Sequence, residues 1–67
     1  MKIILNHIPE SFDFEKLTIA KILEVKKYTH HDLILKINGE LILNENYKEI
    51  EVNEGDNVEI IHLFHGG

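Results

Sequence analysis

Apolar residues fall at helical spacing over a single stretch of this chain, residues 18–28, where Ile19, Ile22 and Leu23 share one side. Lys16, Lys21, Glu24 and Lys27 lie mostly on the other. The segments around that stretch are patterned for strands. A helical stripe and a set of half-buried strands each need the other's apolar surface, so one helix must cover one mixed sheet. The chain therefore belongs to the α+β class, with four to five strands in the sheet. Thr18 can cap the helix with its hydroxyl, and lysines near its far end suit the negative pole of the helix dipole.

The strands are read from period-two runs and turn residues. Residues 1–7 form an apolar first strand, and Ile8, Pro9, Glu10 and Ser11 follow as a turn, because proline removes a ladder donor. A short second strand at residues 12–15 completes an N-terminal hairpin. After the helix, Thr29, His30, His31 and Asp32 make a polar connector. Residues 33–37 are the strongest strand, and Asn38-Gly39 marks a type I′ turn, since both residues tolerate positive φ. Residues 40–43 return beside it, 44–48 are a loop or helical turn, and 50–52 are extended. Glu54-Gly55-Asp56 then turns the chain into a last strand, residues 58–64. In that strand Val58, Ile60, His62 and Phe64 share one face, and Glu59, Ile61, Leu63 and His65 the other. If Val58 and Ile60 face the helix, Ile61 and Leu63 are left on the open face as a docking surface.

Composition narrows the function. With 67 residues the chain has room for one core, and a domain of this size buries only about 60% of its unfolded surface, so a deep catalytic cleft is not expected. There is no cysteine, which excludes disulfides, thiolate metal sites and cysteine nucleophiles. The apolar run Ile3-Ile4-Leu5 is too short for a signal peptide or a membrane span, and a cytoplasmic protein is expected. Twelve acidic residues against seven lysines give a net charge of −5, which repels nucleic acid and anionic lipid and favours a basic protein partner.

Three features invite chemistry. Five histidines, among them His30-His31 and His62 with His65, suggest a metal. Zinc wants three or four converging ligands, however, and strand alternation puts His62 and His65 on opposite faces; no metal site is expected. Seven carboxylates between Glu40 and Glu59 sit at exposed strand and turn positions, the pattern of a solvated face rather than of an acid–base pair. The third feature is the end of the chain, His62-Leu63-Phe64-His65-Gly66-Gly67, where an apolar strand runs into two glycines. The last carboxylate thus sits on a thin, flexible stem, which is either a frayed end or a functional one.

The stretches MKIILN at the start, LTIAKIL opening the helix, LKINGELI through the hairpin and EGDNVEIIHLFHGG at the end resemble, in that order, the ubiquitin-like β-grasp sulfur carriers. They resemble most the thiamine-biosynthesis sulfur carrier (ThiS) family, and they span nearly the whole chain. Two departures stand out: His65 where the family often has a small residue, and a first loop, at His7-Ile8-Pro9-Glu10, without the family's Asn-Gly type of turn.

The resemblance implies a single β-grasp domain over residues 1–67 with a flexible tail at 65–67, and it implies a mechanism. An E1-like adenylating enzyme of the ThiF type uses ATP to join the carboxylate of Gly67 to AMP, and a persulfide sulfur donor then converts it to a thiocarboxylate. A thiazole synthase of the ThiG type receives the sulfur. The carrier is then a co-substrate with no bound cofactor, not an enzyme. Gly66, Gly67 and His65 enter the partner's active site, while Phe64, Leu63 and Ile61 dock at its mouth.

Two other readings compete. Molybdopterin-synthase small subunits and other thiocarboxylate donors share the diglycine, but they tend to be longer and to carry prolines before the tail; this chain has only Pro9. A non-catalytic β-grasp interaction module would bind through its open sheet face and leave its terminus idle.

Overall fold

The computed structural model describes residues 1–28 and 32–63. Along the chain come β1 (Lys2–Leu5), β2 (Ile8–Ser11), β3 (Leu17–Thr18), α1 (Ile19–Lys26), β4 (Leu33–Ile37) and β5 (Glu40–Ile42). A 3₁₀ turn at Asn44–Asn46, β6 (Glu51–Val52) and β7 (Asn57–His62) follow. Five strands form one sheet in the order β2-β1-β7-β4-β5, and β3 pairs with β6 in a two-stranded sheet. β1 and β7 run parallel, with Leu5 opposite Val58, while the other neighbours in the large sheet are antiparallel. One helix on a mixed five-stranded sheet is the architecture expected above.

The first hairpin differs from expectation. Its turn is Asn6-His7, both at positive φ (50° and 69°), and the segment read as a turn, Ile8–Ser11, is itself the return strand. Pro9 is tolerated there because it stands opposite Ile4, whose own N–H points the other way, to the Asp56 carbonyl at 2.9 Å. The position needs no donor from Pro9, and β2 is an edge strand whose far side is unpaired. Asn6 serves twice, since its Oδ1 accepts the Ile60 N–H at 2.7 Å and so ties the turn to β7. Residues 12–15, expected as a strand, are irregular, although Phe12 is buried.

The helix starts as its sequence requires. Thr18 is extended and its hydroxyl accepts the Lys21 N–H at 3.1 Å. At the other end Lys27 adopts a left-handed conformation (φ 60°), its N–H bonds the Glu24 carbonyl, and the Tyr28 N–H bonds the Leu23 carbonyl at 2.9 Å. That pair of bonds is the Schellman arrangement, which turns the chain back over the helix end. A left-handed lysine is costly where glycine is not. Lys27→Gly is therefore expected to stabilise the protein by about 0.5–1 kcal/mol, read as a higher urea midpoint with an unchanged slope.

The core lies between α1 and one face of the sheet. Ile19, Ile22 and Leu23 from the helix meet Ile3 and Leu5 of β1, Leu35 of β4, and Val58 and Ile60 of β7, all at most 3% exposed. Leu17 and Val52, paired across the small sheet, close one end of it. Lys26 reaches from the helix to Glu10 on the edge strand, Nζ to Oε1 at 2.7 Å. That hydrogen bond, aided by the carboxylate's charge, raises the lysine above its ordinary pKa. The pair's contribution is thus kept up to the unfolded lysine's pKa and lost only as pH rises through the folded value.

Candidate functional site

The site suggested by the sequence is the end of β7. Alternation along this strand works as expected: Val58 and Ile60 are buried under the helix, and Ile61 and Leu63 are 44% and 46% exposed on the open side. Phe64, His65, Gly66 and Gly67 lie outside the described residues. So do His30 and His31. Among the described residues no group of three or more His, Cys, Asp or Glu is placed to hold a metal ion.

The structure adds neighbours that sequence reasoning missed. Ile34 stands directly opposite Ile61 across the β4–β7 ladder, half-buried on the same open face. On the far side of β4, Leu41 is opposite Lys36 and is 57% exposed, and Leu43, extended just past β5, is 54% exposed. An apolar strip thus crosses three strands beside the root of the tail. A signal for part of it was present. A two-residue turn at Asn38-Gly39 pairs Ile37 with Glu40 and therefore Lys36 with Leu41, which sets Leu41 on the face of Ile34. The adjacency of β4 and β7 had no such local signal.

Charge around the strip is mixed. Glu59 faces Lys36 across β4–β7, an opposite-charge pair on the same open face. The turn that launches β7 is braced by polar groups: Asn38 Nδ2 donates to Asp56 at 3.1 Å, and the Asn57 N–H donates to Asn38 Oδ1 at 2.9 Å. Gly55, at φ 83°, supplies the positive φ this turn needs. These contacts hold the start of the strand whose other end carries the tail.

That end is held as well. The Leu63 N–H donates to the Asp32 carbonyl at 2.7 Å, which adds one rung to the β4–β7 ladder beyond Leu33 and His62. Asp32 is left-handed, at φ 58°. The ring of His62 meets Tyr28 edge to face, with centroids 4.8 Å apart and planes at 82°. No helix among the described residues is long and apolar enough to cross a membrane.

Comparison with known proteins agrees with this geometry. The sequence model of the ThiS family matches residues 3–67. The crystal structure of a thiamine biosynthesis protein, ThiS, from Geobacter metallireducens superposes with a TM-score of 0.86 at 28% identity, covering 100% of both chains. The solution NMR structure of a thiamine biosynthesis protein from the same organism gives a TM-score of 0.83 at 28% identity, covering all of this chain and 88% of that one. No curated protein matches the chain.

Proposed function

Because the chain belongs to the ThiS family, we propose that it is a sulfur carrier of thiamine biosynthesis, loaded as a thiocarboxylate at Gly67. The observation that carries this reading is the extent of the family match, which runs through residue 67 and so includes Gly66-Gly67. The likeness to a thiamine biosynthesis protein over the full length of both chains supports it.

The chemistry follows from what a carboxylate lacks. Its leaving group would be oxide, so it cannot acylate sulfur as it stands. Attack of the Gly67 carboxylate on the α-phosphorus of ATP releases pyrophosphate and gives an acyl-adenylate. The terminal sulfur of a persulfide attacks the acyl carbon and AMP departs. The bond formed is C–S; a thiol then cleaves the S–S bond carried over from the persulfide, leaving a thiocarboxylate on Gly67 and a disulfide on the donor side. A ThiF-type enzyme would supply the ATP site and a ThiG-type synthase would consume the sulfur, so this chain acts as a co-substrate.

Its own residues contribute fit. Gly66 and Gly67 let the backbone enter a narrow channel, with His65 behind them. Ile61 and Leu63, extended by Ile34, Leu41 and Leu43, give an apolar strip for the mouth of that channel, with Phe64 as the next anchor. The net charge of −5 speeds encounter with a basic partner. Replacing Ile61 and Leu63 together by threonine puts a residue suited to extended backbone at both positions but removes the apolar contact. The expected result is a KM for loading raised by roughly tenfold or more, with the thermal transition nearly unchanged.

The reading is tested by intact mass, before and after incubation with a ThiF-type enzyme, ATP and a sulfur donor. The expected gain is that of one oxygen replaced by sulfur, placed on Gly67 by fragmentation. Fragmentation is essential, because oxidation of the chain's one methionine, Met1, adds nearly the same mass. No gain with an enzyme competent on its own carrier would favour the binding module with an idle terminus.

A further inference from the structure

We propose that Tyr28 is a positioning residue for the tail: through its edge-to-face contact with His62 it holds the end of β7 and so fixes the point, Leu63, from which the tail departs. The proposal rests on the carrier reading above but concerns a residue outside both the tail and the docking strip.

Lys27 in its left-handed conformation swings the chain so that the Tyr28 N–H closes on the Leu23 carbonyl, and the side chain packs against the edge of the core. That places the Tyr28 ring 4.8 Å from the ring of His62, the last residue of β7. His62 lies opposite Leu33, and the Leu63 N–H is bonded to the Asp32 carbonyl. The strand end is therefore gripped twice in two consecutive residues, by a side chain at His62 and by a backbone rung at Leu63.

An edge strand or strand terminus without such grips frays. Here fraying would matter, because Gly67 is only the fourth residue after Leu63. Four residues span at most about 14 Å when fully extended, so the point from which they start decides whether Gly67 reaches a buried active site while the apolar strip is docked. A contact of this kind shifts the balance between gripped and frayed ends by about two- to tenfold. Ordering that end beforehand spares the complex the entropy of ordering it on binding, so the effect belongs in KM and not in kcat.

The test uses the full chain. Amide exchange at Leu63 is measured on the carrier alone, and the KM and kcat of ATP-dependent loading are measured with a ThiF-type enzyme. Tyr28→Ala removes the ring from one side, and His62→Val removes it from the other while keeping a strand-forming residue, so the result does not depend on one variant folding. Both should speed Leu63 exchange and raise KM by about two- to tenfold at unchanged kcat, with exchange at Leu35 in the core unaltered. Tyr28→Phe, which keeps the ring, should behave as the unaltered chain does. Faster Leu63 exchange with an unmoved KM, or no change in exchange, overturns the positioning role while leaving the carrier reading in place. A chain that is never loaded overturns both, and its exchange data still report whether the grip exists.

Discussion

A chain lacking Gly67 is expected to take up no sulfur while folding as stably as the full chain. Shortening the tail by one residue withdraws the reacting carboxylate by about 3.3–3.6 Å. Since a misplacement of about 1 Å can already cost on the order of a hundredfold, the loss should be at least about three orders of magnitude. To recover the distance by pulling, the partner would have to break the rung to the Asp32 carbonyl and the contact with the Tyr28 ring. Stability should not follow, as the buried core among the described residues ends at Ile60. The measurement is intact mass after loading, alongside the urea midpoint. Loading of the shortened chain at the rate of the full one would sink the assignment of Gly67. Binding to the partner without loading is compatible with the proposed role, whereas an idle-terminus module would show no loading in either chain.

Much of this was legible in the sequence, and the parts that were not have a common cause. The helix was readable because Thr18, Ile19, Ile22 and Leu23 give a cap and a stripe within a few residues. The β4–β5 hairpin was readable because Asn38-Gly39 is turn chemistry that admits few alternatives. Ile61 and Leu63 follow from alternation with Val58 and Ile60 in the core. The first hairpin was misread because two local rules point the wrong way: His7 is left-handed without being glycine, and Pro9 sits within a strand. Both are explained by neighbours that no local window contains, namely the Asp56 carbonyl, just before β7, taking the Ile4 N–H and the Asn6 side chain meeting Ile60. The two-residue strands β3 and β6 are too short to carry a period at all. Likewise the joining of Ile61 to Ile34, Leu41 and Leu43 in one strip, and the pairing of Tyr28 with His62, depend on β7 lying beside β4. That is a contact between distant segments, and it became visible only with the sheet assembled.

The same central position makes Leu35 the residue whose loss should do most damage to the fold. Leu35 is fully buried, opposite Ile60 on β7 and Ile42 on β5, and in one core cluster with the helix residues Ile22 and Leu23. Truncating such a leucine to alanine typically costs about 2–5 kcal/mol, because the surrounding side chains close the cavity only partly. A domain of 67 residues at about 0.05–0.15 kcal/mol per residue has only about 3–10 kcal/mol in all. Leu35→Ala should therefore shift the urea midpoint by about a fifth or more of its value, or leave a substantial unfolded population at room temperature. Leu41→Ala, on the open face of the neighbouring strand, should change stability by no more than about 0.5 kcal/mol. The contrast tests the register as well as the core, since slipping β4 by one residue would exchange Leu35 with its outward-facing neighbours Ile34 and Lys36. An unchanged midpoint in Leu35→Ala would mean that β4 does not present this face to the helix, and the apolar strip assigned to the opposite face would fall with it.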